Sequence, residues 1–76
     1  MQWILQDIPI GANIQRVRTQ KKLTQTQTTV RLQLLGSSMS QSTLANIESG
    51  RRNIKASDLK ALQQVFNVDF EEFFRT

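Results

Sequence analysis

The chain has 76 residues, with ten Lys and Arg against six Asp and Glu, a formal net charge of +4, and neither Cys nor His. Without Cys and His there are no disulfides, no thiolate or imidazole chemistry and none of the usual zinc ligand sets. A chain of this length is expected to form one small domain over residues 1–76, with little room for a buried active site. We therefore expect no enzymatic activity, no metal and no cofactor.

The net positive charge fits a polyanionic partner, because phosphate contacts supply most of the sequence-independent affinity for nucleic acids. A modest charge that only keeps the protein soluble is the alternative. No stretch approaches the roughly 20 apolar residues of a membrane span, and the apolar start, Met1 to Ile10, is too short for a signal peptide. We expect a cytoplasmic protein without a membrane partner.

Apolar residues recur at helical spacing through most of the chain, which predicts an all-α fold of five short helices. The first helix is predicted over residues 10–20, directly after Pro9. The second begins at a capping box formed by Thr24 and Gln27, in which each side chain bonds the backbone amide of the other, and it ends near Leu34.

The third helix is predicted to begin at Ser40 and to end near Ser49, because Gly50 supplies the left-handed residue that closes a helix. Met39 and Leu44 have the spacing of a hydrophobic staple across its start. A fourth helix is predicted over residues 56–66 with Asn67 as a left-handed cap, and a second capping box over residues 69–72 opens a short fifth helix. These expectations are local, since each depends on a few neighbouring residues.

Several motifs follow one another along the chain: an Arg late in the first helix, Leu-Thr-Gln at the start of the second, Ser-x-Ser-Thr-apolar at the start of the third, then Ile-Glu-x-Gly and a basic tail. They are Arg18, Leu23 to Gln25, Ser40 to Leu44, Ile47 to Gly50, and Arg51 with Arg52. In this arrangement the chain resembles the Cro/C1-type (XRE-like) helix-turn-helix family from Ile10 to Phe74. The resemblance implies a compact five-helix, lambda-repressor-like DNA-binding domain with its helix-turn-helix at about residues 24–49 and a short N-terminal extension, residues 1–9.

Three features depart from the family pattern. The connection from Gln33 to Met39 is longer than usual by about one turn plus a short loop, and looks like a subgroup with Leu-Gln-Leu-x-Gly there. Thr28 and Thr29 stand where apolar residues are usual, so looser packing of the second helix is expected. Lys22 stands where a Gly often turns the chain.

A helix in the major groove presents the side chains of its first turn and of the next turn to base edges. The outward face of the third helix carries amides and hydroxyls, with no acid before Glu48. The expected DNA base contacts are Gln41, Ser42, Thr43 and Asn46. A merely solvated face of an amphipathic helix is the alternative.

Polar and basic residues flank this face and are expected to bind phosphates. The expected phosphate contacts are Gln25, Ser40, Arg51, Arg52, Asn53 and Lys55, with Arg16 and Arg31 as peripheral candidates. An ordinary polar residue at a helix start is the alternative for Gln25, and a solvated loop is the alternative for the adjacent arginines. The resemblance assigns Arg18 and Glu48 a different role, a structural ion pair that links the first helix to the end of the third.

Apolar residues are in surplus at both ends of the chain: Trp3, Ile4 and Leu5, and Phe70, Phe73 and Phe74. This surplus suggests a homodimer, and symmetric dimers of this motif bind half-sites of a palindromic operator about 34 Å apart. A fold in which the N-terminal segment covers the last helix within one chain is the simpler alternative.

The sequence thus predicts a sequence-specific transcriptional regulator that binds double-stranded DNA, most simply a repressor of bacterial or phage and mobile-element genes, nucleoid-associated when bound. A protein-interaction module with the same fold, such as an antitoxin or adaptor with a regulatory protein partner, is the second interpretation. An enzyme is the third, and it lacks a nucleophile–base pair because no His is present.

Overall fold

The computed structural model describes residues 8–76. This part of the chain contains four α-helices, a final 3-10 helix and no strand. The elements are α1 (Ile10–Gln20), α2 (Gln25–Leu34), α3 (Gln41–Glu48), α4 (Ala56–Phe66) and the 3-10 helix (Phe70–Phe74). The all-α prediction is confirmed, and the predicted N-terminal extension lies, up to residue 7, outside the described residues.

Two helices, α2 and α3, begin at the side-chain caps that the sequence predicted. The Thr24 hydroxyl accepts a hydrogen bond from the Gln27 backbone amide at 3.0 Å, and the side-chain oxygen Oε1 of Gln27 accepts from the Thr24 backbone amide at 2.9 Å. The Ser40 hydroxyl accepts from the Thr43 amide at 3.2 Å. These bonds satisfy backbone donors that the first turn of a helix leaves without a partner.

The capping box predicted over residues 69–72 is wrong. Asp69 makes no side-chain cap bond, and the element that follows is a 3-10 helix instead of a fifth α-helix. The Glu72 carboxylate, which would have to reach back to Asp69, instead accepts hydrogen bonds from Arg16 at 3.3 Å and from Arg75 at 2.9 Å. The two arginines thus occupy the Glu72 carboxylate, and the Glu72 amide, which Asp69 would have capped, donates to the Asp69 backbone carbonyl at 3.0 Å.

Left-handed residues close two helices where the sequence predicted them. Gly50 has a φ of 81° after α3, and Asn67 has a φ of 54° after α4. Lys22, in the turn between α1 and α2, also adopts a left-handed φ of 59°. The family often has Gly in this turn. Here the turn keeps its left-handed conformation with Lys22, although a residue with a side chain ordinarily disfavours that conformation.

The core lies among the elements: α1 packs against the 3-10 helix and against α3, and α2 packs against both α3 and α4. Within residues 8–76, ten apolar side chains are buried in one cluster: Ile10, Ile14, Val17, Leu32, Met39, Leu44, Ile47, Leu62, Phe66 and Phe73. Met39 and Leu44 are both members, so the residues of the predicted staple are buried together in this cluster. Burial of these side chains is the main favourable contribution to folding.

Thr28 and Thr29 are buried in α2, so the expected looser packing is not seen at either position. The Thr28 hydroxyl donates to the Thr24 carbonyl at 2.9 Å, and the Thr29 hydroxyl donates to the Thr26 carbonyl at 3.0 Å. Because both hydroxyls are bonded within the helix, burying them leaves no polar atom without a partner.

Helices α1 and α3 approach each other at backbone distance. A Cβ atom added at Gly11 would lie 1.9 Å from the Ile47 carbonyl oxygen, so no side chain fits between the two helices there. This approach places the end of α3 against the start of α1 and fixes the position of α3 in the fold.

The long connection between α2 and α3 is fastened to α4. The Ser37 hydroxyl donates to the Asp58 carboxylate at 3.1 Å and accepts from the Met39 amide at 3.1 Å. Met39 is buried directly before α3 begins. No helix in residues 8–76 is long and apolar enough to cross a membrane.

Candidate nucleic-acid interface

Helix α3 separates an apolar face from a polar one. Leu44 and Ile47 are buried in the core, whereas Gln41, Ser42 and Asn46 are exposed. This division follows from the helical period, because residues three and four apart share a face. The residues predicted to contact bases are thus brought to one exposed, uncharged surface, with Thr43 partly exposed at its edge.

Three hydroxyls cluster at the start of this surface. The Ser40 hydroxyl donates to Thr43 Oγ1 at 3.0 Å, and its oxygen lies 3.2 Å from that of Ser42. Ser40 has one hydroxyl proton, which is used on Thr43, so Ser42 must donate in the Ser40–Ser42 bond. The Thr43 hydroxyl proton then remains available to an acceptor outside this cluster.

A buried carboxylate lies behind the surface, at the end of α3. Glu48 Oε2 accepts from Arg18 Nε at 2.7 Å, and Glu48 Oε1 accepts from Arg18 Nη2 at 3.0 Å. The Glu48 side chain is 3% exposed and that of Arg18 is 13% exposed. Arg18 also donates to the Leu23 carbonyl at 2.7 Å, so one guanidinium joins α1 to α3 and to the turn before α2. Such bidentate pairs combine charge with fixed geometry.

Gln25, the first residue of α2, extends this network to the surface. Its Nε2 donates to Glu48 Oε1 at 3.0 Å, and its Oε1 accepts from Gln41 Nε2 at 2.7 Å. The Gln25 side chain, predicted to contact a phosphate, is therefore bonded within the protein on two of its polar atoms. One N–H of its amide is left for a phosphate oxygen, as is the backbone amide at the start of α2.

A basic segment follows α3 immediately. The turn is closed by hydrogen bonds from the Gly50 amide to the Ile47 carbonyl at 3.1 Å and from the Arg51 amide to the Asn46 carbonyl at 2.9 Å. The side chains predicted to bind phosphate here are all exposed: Arg51, Arg52, Asn53 and Lys55. Within residues 8–76, none of the three cations forms a salt bridge with an acid. Their charge is thus directed to solvent or to a ligand.

Two further arginines were predicted as peripheral phosphate contacts. Arg16 bonds Glu72, with Nη1 3.3 Å from the carboxylate and Nη2 2.7 Å from the carbonyl oxygen, so its guanidinium joins α1 to the 3-10 helix. Arg31 is exposed in the last turn of α2. Arg16 is therefore engaged within the fold, whereas Arg31 lies on the surface of α2.

Sequence reasoning missed two features that hold the site in place. Asn13 is buried and donates to the carbonyls of Phe73 at 2.9 Å and Arg75 at 2.8 Å, which fastens α1 to the end of the 3-10 helix. The bond between Gln25 and Gln41 was also missed. A Gln at the first position of both α2 and α3 was the available signal, whereas nothing near Asn13 in the sequence marks it.

The fold and the exposed face of α3 are those of a helix-turn-helix protein. The chain matches the model of a helix-turn-helix family (HTH_3) over residues 14–73, and it belongs to this family of Cro/C1-type proteins. The resemblance expected from the sequence is thereby confirmed, while the subgroup with a lengthened connection stays a prediction. Membership supports a DNA-binding regulator. Searches of curated proteins and of solved structures found no match.

Proposed function

We propose that this protein is a sequence-specific transcriptional regulator that inserts α3 into the major groove of an operator. The observation that carries the proposal is the exposed, uncharged amide and hydroxyl face of α3, directly followed by an exposed basic segment. A groove-facing helix needs hydrogen-bonding groups for base edges, and it needs cations beside it for the phosphate strand.

Base recognition is assigned to the exposed face of α3. Gln41 and Asn46 each offer a donor and an acceptor, which suits adenine, and Ser42 and Thr43 offer hydroxyls that can pair with several bases. Glu48, the acid on this helix, is buried with Arg18 and does not face the phosphates. The face therefore presents no exposed negative charge to DNA.

Phosphate binding is assigned to the residues that border this face. Arg51, Arg52 and Lys55 supply charge, and Asn53 supplies an amide. Ser40 and Gln25 stand at the starts of α3 and α2, where backbone amides point outward and favour an anion. Ser40 contributes mainly through that backbone, since its hydroxyl caps α3.

We further propose that two copies bind a palindromic operator as a homodimer. Phe70 is 44% exposed and Phe74 is 38% exposed, whereas Phe73 is buried. Two neighbouring exposed aromatics form an apolar surface that a second copy can cover. In sedimentation with operator DNA we expect a dimer for the wild type and a weakened one for Phe70→Ser/Phe74→Ser. A monomer for the wild type at tens of micromolar would contradict the dimer.

The simplest action of such a regulator is repression by blocking polymerase at bacterial or phage and mobile-element promoters. This function requires a cytoplasmic protein that joins the nucleoid when bound. A protein-interaction module, such as an antitoxin or adaptor, is the second candidate. The exposed apolar side chains at the end of α2 favour it, since Leu34 is 82% exposed and Val30 and Leu35 are 51% and 50% exposed.

The test is a selection of binding sites from a random duplex library at about physiological ionic strength. The wild type is expected to enrich a short palindrome, and Gln41→Ala/Asn46→Ala is expected to lose or blur it. The matched control, Gln15→Ala/Gln64→Ala, removes two exposed amides from α1 and α4 and should enrich the same palindrome. No enrichment by the wild type, with binding that vanishes as salt is added, would indicate phosphate attraction alone and favour the protein-interaction module.

A further inference from the structure

We propose that the exposed end of α2 binds an acidic, amphipathic helix of a partner protein. The binding surface consists of four residues, Val30, Arg31, Leu34 and Leu35, and is called the α2-end surface below. None of the four is assigned to the operator under the proposed function. Binding at this surface therefore goes beyond the proposed function and does not depend on it.

The α2-end surface exposes neighbouring apolar side chains. Leu34 is 82% exposed, and about half of Val30 and of Leu35 is exposed. Val30 and Leu34 are four positions apart and so lie side by side on the helix, while Thr28 and Leu32 supply the buried side. Single exposed apolar residues are ordinary on a protein surface, but a contiguous group of them marks an interaction site.

Arg31 lies in the middle of these apolar side chains. It is three positions from Leu34 and four from Leu35, which are the spacings of neighbours on a helix. Its side chain is exposed and forms no salt bridge within residues 8–76. The sequence has no acid anywhere from residue 25 to residue 40, so α2 and the connection after it offer Arg31 no carboxylate.

This arrangement decides the chemistry of a partner. Any partner that covers Leu34 and Leu35 also takes the Arg31 guanidinium between them out of water. A charge removed from water without a counter-charge is costly, whereas a carboxylate that accepts two of its N–H groups offsets the cost. The complementary segment therefore carries an Asp or Glu between apolar residues, and a helix presents such residues on one face.

Two other occupants fit the α2-end surface less well. A second copy related by a two-fold axis would bring Arg31 near its own counterpart, and each chain has a net charge of +4. A phosphate strand would suit Arg31, but it offers nothing apolar to cover Leu34 and Leu35. An acidic amphipathic helix suits both the charge and the apolar side chains.

The partner and DNA can bind the protein together. Gln25 is the first residue of α2 and is bonded to Gln41 of α3, whereas Leu34 is the last residue of α2. At the rise of an α-helix the two ends lie about 14 Å apart along the axis. A helix seated on the α2-end surface therefore leaves the exposed face of α3 free.

The experiment selects ligands from a displayed library of random peptides, with random duplex DNA in excess to occupy the basic segment after α3. The wild type is expected to enrich peptides in which an Asp or Glu lies between apolar residues at helical spacing. Leu34→Ser should not enrich them, because it removes the most exposed apolar side chain of the surface. Gln33→Ser, at the neighbouring exposed position, is the matched control and should enrich the same peptides as the wild type.

Arg31→Glu reverses the charge of the surface and leaves its apolar side chains in place. We expect this variant to enrich peptides with Lys or Arg where the wild type enriches Asp or Glu. A synthetic peptide of the wild-type consensus should bind Arg31→Glu about thirtyfold or more weakly, the lower end of the cost of losing a desolvated charge pair. Replacing the acid of that peptide by Lys should restore its affinity for Arg31→Glu. Lys60→Glu, at an exposed position of α4, is the matched charge reversal and should keep the wild-type preference.

Two results of the selection would overturn the proposal. The first is that the wild type enriches no peptide that Leu34→Ser fails to enrich. The second is that Arg31→Glu enriches the same peptides as the wild type, because the charge would then play no part.

Two further measurements test the other occupants. Sedimentation without DNA should show no self-association that Leu34→Ser abolishes, and such a loss would assign the surface to a second copy instead. Trp3 is the single Trp of the sequence, so its fluorescence reports on residues 1–7 alone. Its emission should be the same in the wild type and in Leu34→Ser, and a shift to longer wavelength in the variant would show that these residues cover the surface themselves.

Operator binding is measured separately, by the site selection described above with the wild type and Leu34→Ser. Both should enrich the same palindrome, since Leu34 is not assigned to DNA. If the wild type enriches acidic peptides but no palindrome, the regulator fails and the α2-end surface stands. A palindrome without acidic peptides would leave the regulator in place and overturn the partner site.

Discussion

Glu48 is the residue on which the interior of the site depends. Its carboxylate receives three hydrogen bonds, two from Arg18 and one from Gln25, and is almost entirely removed from solvent. Taking two charges out of water is costly, and their mutual attraction offsets that cost only when the geometry is good and the remaining polar atoms are bonded. Both conditions hold here, so the pair is tolerated while either charge alone would not be.

For the Arg18–Glu48 pair we predict that Arg18→Met lowers the free energy of unfolding by about 3–5 kcal/mol, because it leaves the Glu48 charge buried without compensation. The double variant Arg18→Met/Glu48→Leu should cost less than Arg18→Met alone, since no buried charge remains. Denaturant unfolding measures both values, together with that of Glu48→Leu alone. Additive losses from the two substitutions would show that the charges do not act as a pair.

At the scale of the elements, α1 and α3 make one close contact without a side chain between them. Gly11 lets α1 lie directly on the carbonyl of Ile47, near the end of α3. Any side chain there would push α3, and with it the surface formed by its exposed residues, away from α1. The position of α3 thus depends on the absence of a Cβ atom at Gly11 as well as on buried apolar groups.

We predict that Gly11→Ala destabilises the protein by about 1–2 kcal/mol. In a helix, Ala is favoured over Gly by about 1 kcal/mol, but overpacking a tight contact costs about 1–3 kcal/mol, and here the neighbour is backbone that cannot rotate away. The control is Ala12→Gly, at the exposed neighbouring position, where helix propensity alone should cost about 1 kcal/mol. Thermal and denaturant unfolding give both values, and a stabilised Gly11→Ala would refute the close approach.

The sequence predicted the helices well because their signals are local. The boundaries of α1, α2 and α4, and the left-handed Gly50 and Asn67, depend on period, caps and turn residues within a few positions. The capping box at Asp69 failed for the opposite reason. Its Glu72 is bound by Arg16, which lies 56 residues earlier in the chain, and no local pattern contains that contact.

The candidate site likewise has one part that the sequence predicted and another part that it could not predict. The helical period alone predicted which residues of α3 face outward, because burial of Leu44 and Ile47 fixes the opposite face. It could not predict that Gln25 bonds Gln41, 16 residues away, since that bond depends on how α2 and α3 cross. For the same reason Asn13 was not recognised, because its partners lie 60 and 62 residues along the chain.

At the scale of the whole molecule, charge is distributed unevenly. Arg16, Arg18 and Arg75 are paired with acids, and the first two of these pairs join separate elements of the fold. Arg51, Arg52 and Lys55 form no salt bridge within residues 8–76 and follow α3 directly. The paired arginines therefore stabilise the fold, and the cations after α3 are available to bind a polyanion.

We predict that Arg51→Ala/Arg52→Ala weakens binding to all duplexes alike. The slope of log affinity against log salt should become shallower by about 2, since each phosphate contact contributes about 0.9 to that slope. The selected sequence should stay the same because neither side chain is assigned to a base. Titrations at several salt concentrations measure the slope, with Lys60→Ala on α4 as the control. An unchanged slope would exclude the two arginines from the phosphate contacts.

Asn13 has a consequence for the order in which the molecule can form. Its amide bonds the carbonyls of Phe73 and Arg75, 60 and 62 residues further along the chain, so α1 finds one of its main partners only after those residues have been synthesised. Contacts between such distant positions slow folding, because a long stretch of chain must be ordered before they can form. During translation α1 therefore lacks this partner until residue 75 has been added, and a nascent chain without the 3-10 helix should not yet bind the proposed operator.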